Sequence, residues 1–276
     1  MRISMLCSIF LCAGLLMLAG CDSPKAIDAR TIAAYKEAGS NNHGGFRSDF
    51  PDKWLGAWQF EWSAGWRDPE KNLPGFVFSD APKSKLPDVA VPFGLTLAYN
   101  DPTGASLKQI AHLKNLTLLD ARGMNLTNAG LKELAPLTSL TKLAVGGQSE
   151  DFSLDGAAGL KELTTLTNLT TLDLDYLNYR GGGLRELAAL RHLATLDVNG
   201  YIEDSGIKEL ATLANLTTLG LDSRSCSDAG LKELAVLKNL KKVRLSFNPK
   251  TNKMITEAGL DQLKKLMPDC EFHLAP

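Results

Sequence analysis

The sequence predicts an α/β solenoid, with parallel strands on a concave face and short helices on a convex one. Three observations carry that expectation. A Leu-x-x-Leu-x-Leu segment recurs from Leu116, Leu140, Leu169, Leu193, Leu216 and Leu240, with Val145, Val198 and Val243 as variants and Ala121 as a departure. A second block, Gly-Leu-Lys-Glu-Leu-Ala at 130–135 and 230–235, recurs between these segments, with relatives at Gly159, Gly183, Gly206 and Gly259. Leucine numbers 48 of 276 residues, and forty of those lie between positions 95 and 274, so the excess follows the repeat. Two independent registers with a shared spacing mark a stacked-repeat architecture.

Each element follows from its periodicity. With a looser copy at Pro92 and a closing one at Asp269, the strand segments are spaced 24, 24, 29, 24, 23, 24 and 29 residues apart. The Leu-x-Leu core has a period of two, so Leu172 and Leu174 share one face and Asp173 takes the other. Leu131, Leu134 and Ala135 stand at i, i+3 and i+4, an apolar helical stripe that leaves Lys132 and Glu133 to solvent. The pairs Thr127-Asn128, Ser227-Asp228 and Thr256-Glu257 suit helix N-caps, because their hydroxyls accept orphan backbone N–H bonds. Asn115, Asn168, Asn215 and Asn239 precede the strands, where asparagine tolerates a tight turn. No single strand–turn–helix unit can bury its leucines alone, and stacking the units buries them together.

These units resemble the leucine-rich repeat family, in a ribonuclease-inhibitor-like and internalin-like bacterial form. The resemblance covers residues 92–276 and implies a non-enzymatic binding scaffold. Across the six Leu-x-x-Leu-x-Leu segments an asparagine ladder at the ninth position is absent, since Met124, Gln148, Leu177, Tyr201 and Arg224 stand there and Asn248 alone matches.

Residues 1–20 form a separate segment. Arg2 precedes an apolar run from Met5 to Ala19, the pattern of a secretory signal and too short for a membrane span. The run ends in Leu18-Ala19-Gly20-Cys21, which resembles the bacterial lipobox. That resemblance implies cleavage before Cys21, lipidation of its thiol, and an envelope protein anchored to a membrane and facing the periplasm or the exterior. Residues 21–31 then read as a polar tether and 32–91 as an amino-terminal cap region, ahead of the repeat domain at 92–276. All four tryptophans, Trp54, Trp58, Trp62 and Trp66, lie in the cap region. They suit a cover for the first hydrophobic layer, packed on strand 92–97, or alternatively a platform for cell-envelope glycans.

Charge and motif content narrow the function. Thirty Lys+Arg against 31 Asp+Glu give a net charge of −1, which argues against a nucleic-acid surface. His43, His112, His192 and His273 are isolated, with His112 and His192 on turns read as solvated, and no metal-binding spacing, nucleophile elbow, phosphate loop or dinucleotide fingerprint occurs. We therefore expect no catalysis, no metal and no cofactor. Beyond the signal and Cys21, only Cys226 and Cys270 remain; they fall two repeats apart, beyond disulfide reach, and read as small buried apolar groups.

The concave face is the remaining candidate. Adjacent strands lie roughly 4.8 Å apart, which places Asp173 beside Asp197, with Asp175 and Asp222 along one edge. Like charges so placed cost stability unless solvent or a cation compensates, and Lys142, Lys242 and Arg244 bracket them. Both 29-residue spacings insert chain after a strand, at 146–157 and 246–258, and so flank the middle of the face. Asp173, Asp175, Tyr176, Asp197, Asn199, Tyr201, Asp222 and Arg224 are the candidate binding residues, for a protein or peptide partner.

Overall fold

A computed structural model describes residues 27–40, 42–47, 60–61, 72–146, 156–175, 182–200, 202–222, 226–246 and 254–275. Among the described residues eleven strands form one sheet: β1 (Asn42–Arg47), β2 (Phe60–Glu61), β3 (Asn72–Phe78), β4 (Phe93–Leu97), β5 (Leu116–Ala121), β6 (Lys142–Gly146), β7 (Thr171–Asp175), β8 (Thr195–Asn199), β9 (Thr218–Asp222), β10 (Lys242–Ser246) and β11 (Glu271–Ala275). From β3 to β11 the strands run in chain order and pair in parallel, one strand per unit. The predicted solenoid is thus present, and its parallel stack begins at β3, earlier than the repeat pattern. Pro74 and Gly75 break the leucine signature in β3, although its pairing with β4 is regular.

One side of the sheet carries the core. Leu172, Leu174, Leu196, Val198, Leu219 and Leu221 are fully or almost fully buried, together with the helical leucines Leu131, Leu163, Leu187, Leu210, Leu231 and Leu263. The helices on that side are α1 (Ala29–Glu37), α2 (Asn128–Lys132), α3 (Gly156–Glu162), α4 (Asp204–Leu210), α5 (Asp228–Glu233) and α6 (Glu257–Leu266), and several units substitute a 3-10 turn such as Leu184–Ala189. Cys226 lies in this core and burial raises its thiol to a pKa of about 12, whereas Cys270 is only partly buried.

At the amino-terminal end, Asp28 caps α1 by accepting N–H bonds from Arg30 and Thr31, so this helix starts inside the stretch read as tether. Tyr35 from α1 is fully buried, stacks on Phe76 at 4.0 Å between ring centroids, and meets Phe93 edge-on at 6.2 Å. Its hydroxyl donates to the Pro87 carbonyl at 3.0 Å. The four tryptophans lie outside the described residues.

Polar side chains join unit to unit. Asn115, Asn168, Asn215 and Asn239 do more than permit a turn: each donates its side-chain amide to a carbonyl of the preceding unit (Val89, Thr138, Arg191 and Ala214) at 2.7 to 2.9 Å. Thr127, Ser227 and Thr256 cap their helices as expected. The caps are themselves held from the unit before. Asp204 accepts from Ser227 backbone N and Oγ at 2.7 and 2.5 Å, and Asp228 accepts from Thr256 backbone N and Oγ at 2.8 and 2.7 Å. At 182–189, where glycines replace the capping pair, Glu209 of the following unit takes the Gly183 N–H at 2.6 Å.

The recurring glycine of the helical block follows from this ridge. A Cβ on Gly230 would collide with the Asp204 carboxylate and come within 3.1 Å of the Asp204 Cα. Gly230→Ala therefore dislodges Asp204 from Ser227, and we expect a loss of about 2 kcal/mol. Urea unfolding measures it, with Ala229→Ser, on the exposed side of the same turn, expected to stay within about 0.5 kcal/mol of the parent.

Candidate functional site

The outer face of the sheet, turned away from the helices, is made of three rows of residues in register across the strands. The first row is Leu118, Lys142, Thr171, Thr195, Thr218, Lys242 and Glu271. The second is Asp120, Ala144, Asp173, Asp197, Gly220, Arg244 and His273, and the third contains Gly146, Asp175 and Asn199, then Asp222 and Ser246. Of the candidate residues, Asp173 and Asp197 are register neighbours as predicted, and Asp175 aligns with Asn199 at the strand exits. Tyr176, Tyr201 and Arg224, and the side chains of Asp175 and Asn199, lie outside the described residues, as do most of both insertions.

The aspartates are buried rather than displayed. Asp120, Asp173, Asp197 and Asp222 keep 6%, 2%, 1% and 9% of their surface. Charged groups at such depth need partners, and the protein supplies them as arginines. Arg122 lies against Asp120, with Nε to Oδ1 at 3.0 Å and Nη2 to Oδ2 at 2.7 Å, and its Nη1 stands 3.6 Å from Asp173 Oδ2. Arg244 pairs through Nη2 with Asp197 Oδ2. The compensating cations are thus the protein's own, and Arg244 is inside the cluster rather than beside it.

Small residues make this geometry possible. In register, Ala144 lies between Asp120 and Asp173, and Gly220 lies between Asp197 and Arg244. Each guanidinium therefore passes over one strand to reach the aspartate beyond it. A Cβ on Gly220 would stand 2.5 Å from Asp197 Oδ1 and 2.9 Å from Arg244 Nη2, so any side chain there meets the pair. Burial pushes the Asp197 carboxyl above the ordinary carboxylate range, against the opposing pull of Arg244 and Arg122.

Sequence reasoning found the aspartates and missed their coverage. The available signal was a small residue in the same register as each acid, Ala144 and Gly220, with an arginine one strand away. Solvent instead meets Arg122, Lys142, Lys242 and Arg244, all half-buried, and the hydroxyls of Thr171, Thr195 and Thr218. His273 Nε2 contacts Glu271 Oε1 at 2.7 Å at the end of the face. His112, expected on a solvated turn, places Nε2 2.8 Å from the Leu86 carbonyl, while His192 is exposed as expected. No group of three or more metal-ligating side chains occurs among the described residues.

A repeat of 23 to 29 residues folded as strand, turn and short helix, stacked into one parallel sheet with an open polar face, defines a leucine-rich-repeat solenoid. An internalin C2 of Listeria monocytogenes is similar over 66% of this chain and 70% of its own, with 26% identity and a TM-score of 0.45. A second internalin of that organism shows 17% identity over 65% of this chain and 60% of its own, with a TM-score of 0.37. A leucine-rich-repeat protein of Leptospira interrogans shows 22% identity over 69% of this chain and 49% of its own, with a TM-score of 0.42. The chain thus spans about 60% and about half the length of the latter two. No protein-family model matches the sequence, and no curated protein does.

Proposed function

We propose that this chain is a non-catalytic binding protein that presents the outer face of its sheet to a protein or peptide, tethered to a membrane through lipidated Cys21. The observation that carries the reading is the middle of the face. Thr171, Thr195 and Thr218 form a half-buried hydroxyl row between Lys142 and Lys242, on a floor fixed by the Arg122 and Arg244 pairs. A surface held rigid before contact loses little conformational entropy when a partner binds. The tether rests on the Leu18-Ala19-Gly20-Cys21 segment.

Charge reversal at Asp173 or Asp197 is a poor test, because removing a buried partner unfolds the floor. Thr195→Arg places a bulky charge on the half-buried row without touching a pair. Full-length protein in detergent, immobilised and exposed to envelope extract, is expected to capture a defined partner, and Thr195→Arg to lose it. Equal capture by the variant overturns the binding face. Separately, Cys21→Ser is expected to move the protein from the membrane to the soluble fraction on sedimentation; retention in the membrane pellet overturns the lipid anchor.

A further inference from the structure

We infer that β11 is the contact edge of a two-fold homodimer, in which the same strand of a second copy pairs with it antiparallel and the two sheets become one. This goes beyond the binding reading above and does not depend on it. Among the described residues β11 pairs with β10 alone, so its other side is an open edge.

The edge lacks the next layer of the stack. Phe272 and Leu274 continue two register rows of the core, whose members in β10 are Val243 and Leu245 and in β9 Leu219 and Leu221. Those four residues keep no more than 1% of their surface, whereas Phe272 is only partly buried and Leu274 is 44% exposed. Leu266, at the end of α6 in the same unit, is 49% exposed. The backbone is disposed for another strand. Glu271 N–H donates to the Lys241 carbonyl at 2.8 Å, toward β10. Peptide groups alternate sides along a strand, so those of Phe272 and Leu274 point away from β10, as on any sheet edge that can accept a further strand.

The side-chain pattern identifies the occupant as a second copy. Glu271 and His273 stand in the outer-face rows, beside Lys242 and Arg244, and Phe272 and Leu274 in the core rows. A matching strand must alternate in the same way, with a base against Glu271 and an acid against His273. β11 reversed meets each condition. With Phe272 opposite the partner's Phe272, each Glu271 faces the partner's His273, and each Leu274 faces the partner's Cys270. The Phe272 pair exchanges its backbone bonds, and the Glu271–His273 pairs fall at non-hydrogen-bonded positions, about 4.5 Å apart at Cα, where side chains come closest. The contact within one chain uses Glu271 Oε1 and His273 Nε2, so Oε2 and Nδ1 lie outside it. A slip of two residues would set His273 against the partner's His273 and Glu271 against the partner's Ala275, so the charges select one register.

The test is sedimentation equilibrium of the full-length protein in density-matched detergent, from about 1 to about 100 µM. The expected result is a reversible monomer–dimer equilibrium that persists with Cys21→Ser. Leu274→Lys changes a side chain already open to solvent, so it is expected to leave the circular dichroism of the monomer unchanged and to weaken the dimer at least about tenfold. Glu271→Arg sets a cation against the partner's His273 and is expected to weaken the dimer about tenfold. Adding His273→Glu exchanges the two charges and is expected to restore it.

A single monomer mass over the whole range overturns the inference, as does association that Leu274→Lys leaves unchanged or that Cys21→Ser abolishes. Growth past the dimer means head-to-tail contacts instead of a two-fold edge, and overturns it as well. If Glu271→Arg with His273→Glu stays as monomeric as Glu271→Arg alone, the opposed charges do not set the register and the antiparallel pair falls.

Discussion

Arg244→Met is expected to destabilise the protein by about 3 kcal/mol at pH 7, because it strands Asp197, 1% exposed, without its cation. Adding Asp197→Asn is expected to restore most of the loss, since the second change removes the stranded charge rather than another contact. Thermal or urea unfolding of the two single variants and the double variant measures the coupling. The pH dependence has a definite sign. Burial already raises the folded-state pKa of Asp197 above its unfolded value of about 3.9, and removing Arg244 raises it further. A carboxyl with a raised folded pKa binds protons preferentially in the native state, so stability falls as pH rises between the unfolded and folded values. The Arg244→Met deficit should therefore be larger at pH 7 than at pH 5. A deficit that is flat with pH, or one that Asp197→Asn leaves unrelieved, contradicts this account of the pair.

Tyr35→Ala is expected to cost about 3 kcal/mol or more, through the cavity left on Phe76 and Phe93 and the lost bond to Pro87. Tyr35→Phe keeps the ring and removes only the hydroxyl, so it should cost about 1 kcal/mol. In a stack where each unit contacts only its neighbours, the damage should stay near its end. Amide hydrogen exchange should accelerate in β3 and β4 and remain nearly unchanged in β9. Uniform acceleration along the stack would show that the units unfold as one.

The strands and helices of the repeat were legible because their signals are local. Leu172 and Leu174 declare a strand by a period of two, and Leu231 and Leu234 a helix by a spacing of three, each within a few residues. The serine and threonine caps were legible for the same reason. What escaped notice arises between units. Asp204 binds Ser227 of the following unit, Glu209 caps the unit before it, and Asn239 reaches back to Ala214; no local periodicity encodes these links. The face shows the contrast most directly. Asp173 and Asp197 could be placed side by side from spacing alone, yet their burial depends on Arg122 and Arg244, 51 and 47 residues away in sequence. The start of the stack was hidden differently, because Pro74 and Gly75 replace the leucine pattern in a strand whose hydrogen bonding is ordinary.

The arginine spans also have a mechanical meaning. A neighbouring-strand hydrogen bond fixes one interval of a sheet, whereas Arg122 joins β5 to β7 and Arg244 joins β10 to β8, each skipping a strand. A link across two intervals acts as a brace: the sheet cannot change its bend there without lengthening or breaking an ion pair. The solenoid is therefore braced in two stretches, over β5 to β7 and over β8 to β10. A partner that fits this face finds its shape already set, and one that needs the strands to splay must first break a buried charge pair.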